Sequence, residues 1–188
     1  MKKQLLNKAL RILLSTNAVI LFAVAMFGPI YAIYVERIGG DLMDAGFAVA
    51  LYALAGGITT IVSGRYSDKI KENELIVVAG YLIMAGGFLA YVFIDSVLQL
   101  FIVQMVIGLG EAIYAPAFDA LYSKHLDGKR SGSQWGAWES TNYFTAAIGA
   151  AVGGFVAAQF GFNRLFILMA ALSLASAIYI YLLPRKVL

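Results

Sequence analysis

The sequence predicts an all-α membrane protein with six transmembrane helices, and three observations carry that expectation. Of its 188 residues, 61% are hydrophobic and 13% charged, whereas soluble domains run near 45–50% apolar and about 25% charged. The apolar residues fall into six runs, each near the roughly 20 residues a helix needs to cross a bilayer. None of the runs alternates with a period of two, as the strands of a membrane β-barrel would. A soluble core of this length could not bury so much apolar surface, so lipid is the expected solvent. Residues 1–188 read as a single six-helix transmembrane domain.

The spans fall at about residues 10–34, 46–66, 75–94, 98–123, 137–160 and 164–183, separated by polar or Gly-containing breaks. The first passes Ala23-Val24-Ala25, which resembles a leader cleavage site, but stays apolar through Val35 and so reads as a retained span. Gly28-Pro29 should bend it. Asn17 lies within it, suited to bonding another helix or to a cavity. The second span places Tyr52 near mid-membrane, where its hydroxyl needs a partner. The third and sixth, LIVVAGYLIMAGGFLAYVFI and LFILMAALSLASAIYIYLL, carry no charge and read as peripheral, lipid-facing helices. The fifth opens WGAWESTNYF. Trp135 reads there as an interface anchor, with Glu139, Asn142 and Tyr143 just inside. Ala146, Gly149 and Gly153 then continue a small-residue stripe from Asn142, suited to helix packing.

The fourth span is the least uniform. At about 100° per residue, Gln104, Gly108, Glu111, Ala115 and Phe118 form one stripe of small and polar residues. Glu111 lies about 20 Å from the Val97 end, past the midplane. A carboxylate there costs about 2.5–3.5 kcal/mol on insertion scales, so such groups face a bundle interior or a wet cavity. The structural alternative is a neutral glutamic acid hydrogen-bonded to a neighbouring helix. Tyr114 is close to this stripe. Asp119 lies two turns nearer the Lys124 end and reads as a partner for basic loop residues. Pro116, between the two carboxylates, should kink the helix.

Charge distribution orients the chain. Lys2, Lys3, Lys8, Arg11, Arg65, Lys69, Lys71, Lys124, Lys129, Arg130, Arg185 and Lys186 collect on one side. Arg37 and Arg164 lie on the other, with Glu36, Asp41, Asp44 and Asp95. Basic residues mark the cytoplasmic face of a cell membrane, so both termini should be cytoplasmic. The chain has no cysteine and a single histidine, His125. No nucleophile–base or metal-ligating constellation is present, which argues against an enzyme, a cofactor or a metal, and nothing suggests a nucleic-acid partner.

The junction of the second and third spans reads SGRYSDKIKENE. Gly64, Asp68 and Lys69 there resemble the Gly-x-x-x-Asp-Arg/Lys signature of the major facilitator superfamily, on the side that family requires. The second part of the signature is replaced by Lys71-Glu72, Gln104 stands where the family often has arginine, and the fifth span lacks the antiporter Gly-Pro step. The resemblance implies one half of a major facilitator fold, built as a 3+3 inverted repeat. It also implies a homodimer of twelve helices moving a small solute by alternating access, with the first and fourth spans lining the cavity. Glu111 would then bind a proton or the solute, with Gln104, Tyr114, Tyr52, Asn142, Tyr143 and Asn17 nearby. In a dimer two copies of Glu111 would face one cavity, where joint ionisation is disfavoured. A cytoplasmic gate would draw on Gly64, Arg65, Asp68, Lys69, Asp119, Glu139 and Arg130. The solute would be a sugar or another polar metabolite. The rival readings are a passive channel and a non-transporting subunit that pairs with another half-transporter.

Overall fold

Six apolar spans account for most of residues 5–184, which the computed structural model describes. Lys2, Lys3, Arg185 and Lys186 of the basic side lie outside the described residues. The first span is α1 (Lys8–Ala25), a 3-10 turn (Gly28–Ile30) and α2 (Tyr31–Arg37). The others are α3 (Leu42–Ser67), α4 (Asn73–Ala90), α5 (Val97–Lys124), α6 (Ser131–Phe160) and α7 (Phe162–Leu182). Each expected span is found. The fifth starts earlier than its hydropathy indicates, because the polar turn Ser131–Gln134 is helical without being apolar.

Local chemistry explains the ends. The Asn7 side chain accepts from Leu10 N at 2.8 Å and starts α1. Asp41 and Asp44 form a reciprocal capping box at the start of α3. Gly161 takes φ +83, so a single residue joins α6 to α7.

The two prolines act differently. Gly28-Pro29 breaks the first span into α1 and α2. Pro116 lies inside an unbroken α5. Without an N–H, Pro116 frees the carbonyl of Ala112 four residues back. The Ser63 hydroxyl of α3 donates to that carbonyl at 2.5 Å. A neighbouring helix thus satisfies the orphan acceptor, as an apolar surrounding requires.

Packing pairs α3 with α5, α4 with α5 and α7, and α1 with α6 and α7. Exchanging the first three spans for the last three maps α3–α5 onto α6–α1, α4–α5 onto α7–α1, and α4–α7 onto itself. That pairing fits a 3+3 repeat. Close approach rests on small residues. A Cβ added at Gly153 would overlap the Met26 backbone where α1 ends, so the predicted stripe of α6 does face a helix.

The third and sixth spans are not the periphery of this unit. α4 and α7 pack on one another, and 50% and 44% of their most apolar stretches are buried, against 11% for α3 and for α6. Lack of polar groups reports an apolar surrounding. A packed helix supplies that as well as lipid does: Gly80 and Gly87 of α4 lie against Tyr114 and Ile107 of α5, and Ala170 and Ala177 of α7 are buried.

Side-chain bonds tie the chain together at both ends. At the basic end, Gln134 donates to the Leu5 carbonyl at 2.9 Å and accepts from Asp127 N at 2.8 Å, and its carbonyl receives the Tyr122 hydroxyl at 2.5 Å. His125 caps α5, its ring Nδ1 bonded to Leu121 O, and its backbone carbonyl accepts from Asn7. At the acidic end, Phe27, Tyr34, Tyr91 and Phe166 pack edge-on or stacked with centroids 4.8–5.8 Å apart. The Tyr34 hydroxyl donates to Tyr91 O at 3.0 Å.

Candidate solute-binding site

α5 carries the only predicted site carboxylate that has a side-chain partner among the described residues. Gly108 lies one turn from Glu111, and a Cβ there would overlap the Tyr52 backbone of α3. This close approach lets the Tyr52 hydroxyl donate to Glu111 Oε2. Two residues 59 apart in sequence are therefore bonded in the bundle interior.

Glu111 lines two cavities. One, of 260 Å³, lies toward the acidic end and is bounded by Tyr31, Tyr52, Tyr91, Gln104, Ile107 and Glu111 among others. The other, of 380 Å³, lies toward the basic end and includes Asn17, Glu111, Tyr114, Asp119, Trp138 and Asn142. Along α5 the first covers positions 104 to 111 and the second 111 to 119, so Glu111 stands where they meet. The break at Gly28 borders the first cavity. Three buried polar atoms in these walls lack a hydrogen bond: Tyr31 Oη in the first, Trp138 Nε1 and Asn142 Oδ1 in the second. The Gln104 side chain is beside Tyr31 but outside hydrogen-bonding geometry. Buried polar groups of this kind call for a partner.

The predicted residues divide accordingly. Glu111, Gln104, Tyr52, Tyr114, Asn142 and Asn17 all line one or both cavities. Asn17 is also bonded to α4, accepting from the Tyr81 hydroxyl at 3.3 Å. Tyr143 does not join them; it is 76% exposed and lines neither cavity. Adjacent helical residues point about 100° apart, and only one can face the cavity.

Arg65, Asp68, Lys69 and Glu139 are exposed, and a Cβ on Gly64 would meet nothing within 4 Å, so that glycine mediates no close helix approach. Asp68 ends α3 as its C-cap. Asp119 lines the larger cavity with Glu111 and makes no ion pair among the described residues, contrary to the pairing expected from sequence. The nearest basic side chains along the chain lie at or beyond the end of α5, from Lys124 onward, whereas Asp119 is more than a turn inside it. Arg130 precedes α6, its N–H bonded to Asp127 O at 2.7 Å.

Sequence reasoning missed Tyr31, Tyr81 and the inward turn of Trp138. Trp135, from sequence an interface anchor, packs on Tyr122 at 5.0 Å. An aromatic in an apolar run gives no signal of which face it takes; only a GxxxG-like neighbour could have hinted at it.

Residues 13–187 match the family model of the Major Facilitator Superfamily, which is nearly the whole chain. The chain belongs to the major facilitator superfamily. Its members are membrane transporters rather than enzymes, and this chain is an integral membrane protein with six membrane-length helices. It is 26% identical over 175 residues to the multidrug resistance protein MdtG of Klebsiella pneumoniae, covering 91% of this chain and 42% of that protein. It is 30% identical over 161 residues to the multi-drug resistance efflux pump PmrA of Streptococcus pneumoniae, covering 80% of this chain and 38% of that one. The chain thus spans less than half the length of both relatives. An uncharacterized MFS-type transporter of Bacillus subtilis, YitZ, is 28% identical over 148 residues, covering 77% of this chain and 88% of YitZ.

Proposed function

We propose that this family member carries a small solute across the cell membrane by alternating access, with its six-helix unit paired in parallel with a second copy. Its termini are cytoplasmic, and Glu111 carries the coupling proton. The observation that carries this reading is the place of Glu111 at the meeting point of two cavities that extend toward opposite ends of the bundle. A group reachable from either end, one end at a time, is what alternating access requires. The Tyr52 hydroxyl supplies a neutral donor to the carboxylate, so Glu111 has a partner without an opposing charge. The near-bare flanks of α3 and α6 support a second unit beside this one. The names of the relatives support a transporter, and YitZ supports a unit of about this length.

Proteoliposomes filled with a pH-sensitive dye and given a panel of sugars, amines and organic anions test it. One solute should move protons on addition and show counterflow. Glu111→Gln should abolish the proton signal while leaving counterflow measurable. Proton flux unchanged by Glu111→Gln would refute the coupling role, and flux that never saturates and shows no counterflow would replace the transporter with a passive pore.

A further inference from the structure

A larger cavity, of 730 Å³, lies apart from Glu111, between α3 and α4 at the basic end, and reaches Ile113 of α5. It shares no wall residue with either cavity that Glu111 lines. Along α3 it runs from Tyr66 in to Thr59, about 10 Å of rise. Most of this wall is hydrocarbon, and the Ser63 hydroxyl within it already donates to the Ala112 carbonyl. Val62, Tyr66 and Ile70 are exposed, so the slot is open to what surrounds the bundle, which at this depth is lipid. Its charged residues, Lys71 and Glu72, both belong to the α3–α4 loop. Glu72 is engaged with another group of the chain, whereas Lys71 makes no ion pair among the described residues. Arg65 and Lys69, exposed in the same junction with Asp68, make none either.

We infer that this slot holds one acyl chain of an anionic phosphoglyceride, with the phosphate on Lys71 and the chain lying between Val62 and Ala79 toward Ile113. An empty hydrocarbon slot forgoes dispersion contacts along its whole lining. Water fills such a space poorly for want of polar partners, and an acyl chain is the hydrocarbon at hand. Lipid is as apolar as the slot, so the chain alone does not prefer one lipid to another. The headgroup supplies the preference: each lysine or arginine near the surface is worth about fivefold in affinity for an anionic lipid. The bound chain also packs beside Ser63, so lipid bears on the bond by which α3 supports α5.

Native mass spectrometry of the detergent-solubilised chain, given phosphatidylglycerol and phosphatidylcholine in equal amounts, reads bound lipid and oligomeric state together. One phosphatidylglycerol per chain should be retained, about fivefold or more in preference to phosphatidylcholine. Lys71→Gln should cut that retention about fivefold. Lys129→Gln, on another loop of the basic end, should leave it unchanged and so exclude an effect of net charge. Ala79→Trp, at an exposed position of the wall, should shut out both lipids. An unfolding midpoint equal to the parent's in lipid-free detergent shows that a variant is folded; if Ala79→Trp lowers it, Val62→Trp fills the slot from the opposite wall. Equal retention of the two lipids, or retention indifferent to both Lys71→Gln and the tryptophan, overturns the inference and leaves ordinary surrounding lipid. A tryptophan that splits a dimer while lipid retention stands overturns it too and assigns the slot to a second copy. None of these readings requires transport, so the lipid site and the transport reading stand or fall separately.

Discussion

At the scale of single residues, the polar groups in the membrane region fall into those bonded within the protein and those that await something. Asn17 belongs to the first kind: it is 2% exposed and accepts from Tyr81, which is fully buried. Removing one partner leaves the other unsatisfied in an apolar interior, while removing both is nearly neutral. Asn17→Leu should therefore destabilise by about 1–2 kcal/mol, read as a lower thermal unfolding midpoint in detergent. Asn17→Leu combined with Tyr81→Phe should recover most of it. A double variant as unstable as the sum of the singles would show that the bond contributes nothing. Asn142 and Trp138 belong to the second kind, and their unsatisfied atoms face the same cavity as Asp119.

Between elements, the telling feature is how α3 adapts to α5. Pro116 would leave a bare carbonyl in a helix surrounded by hydrocarbon, and Ser63 fills that need at 2.5 Å. One turn from Glu111, Gly108 brings the α3 backbone close enough for Tyr52 to reach it. Ser63→Ala should destabilise by about 1 kcal/mol in the native sequence. It should cost much less in a Pro116→Ala background, where the restored N–H can serve Ala112. A double-mutant cycle by thermal unfolding measures the coupling, and additive effects would mean that Ser63 does not act through the freed carbonyl. The membrane setting keeps such bonds modest, because the unfolded helices also find partners.

For the whole molecule, two helices are short of neighbours. α3 packs mainly on α5 and α6 mainly on α1, so α3 and α6 are the outer flanks of the layer whose inner members line the cavities. Residues such as Ile58 and Ile148, 61% and 58% exposed, face away from the unit. A two-fold axis along the membrane normal would place α3 of one copy against α6 of the other, as an isologous interface requires. The chain contains no cysteine, so Ile58→Cys and Ile148→Cys variants each carry a single thiol. Co-reconstituted in a bilayer and oxidised, they should give a mixed dimer in preference to either self-pair. Failure to cross-link, or self-pairs only, would remove the second copy from the proposed assembly.

The number of spans, the membrane as solvent, the break at Gly28-Pro29 and the presence of an expensive carboxylate at position 111 are determined by the sequence alone. Transfer of a side chain into lipid depends on that side chain, and the contributions add along a run. Which way each helix turns was decided only by tertiary structure. Tyr52 meets Glu111 across 59 residues, Asn142 faces inward while Tyr143 faces out, and α4 and α7 are buried against each other. Asp119 opens into a cavity instead of pairing with a loop cation. In water, the contrast between wet and apolar faces would have revealed these orientations. In a membrane, lipid and packed protein are both apolar, and the choice between them rests on shape, small residues and bonds made by distant partners.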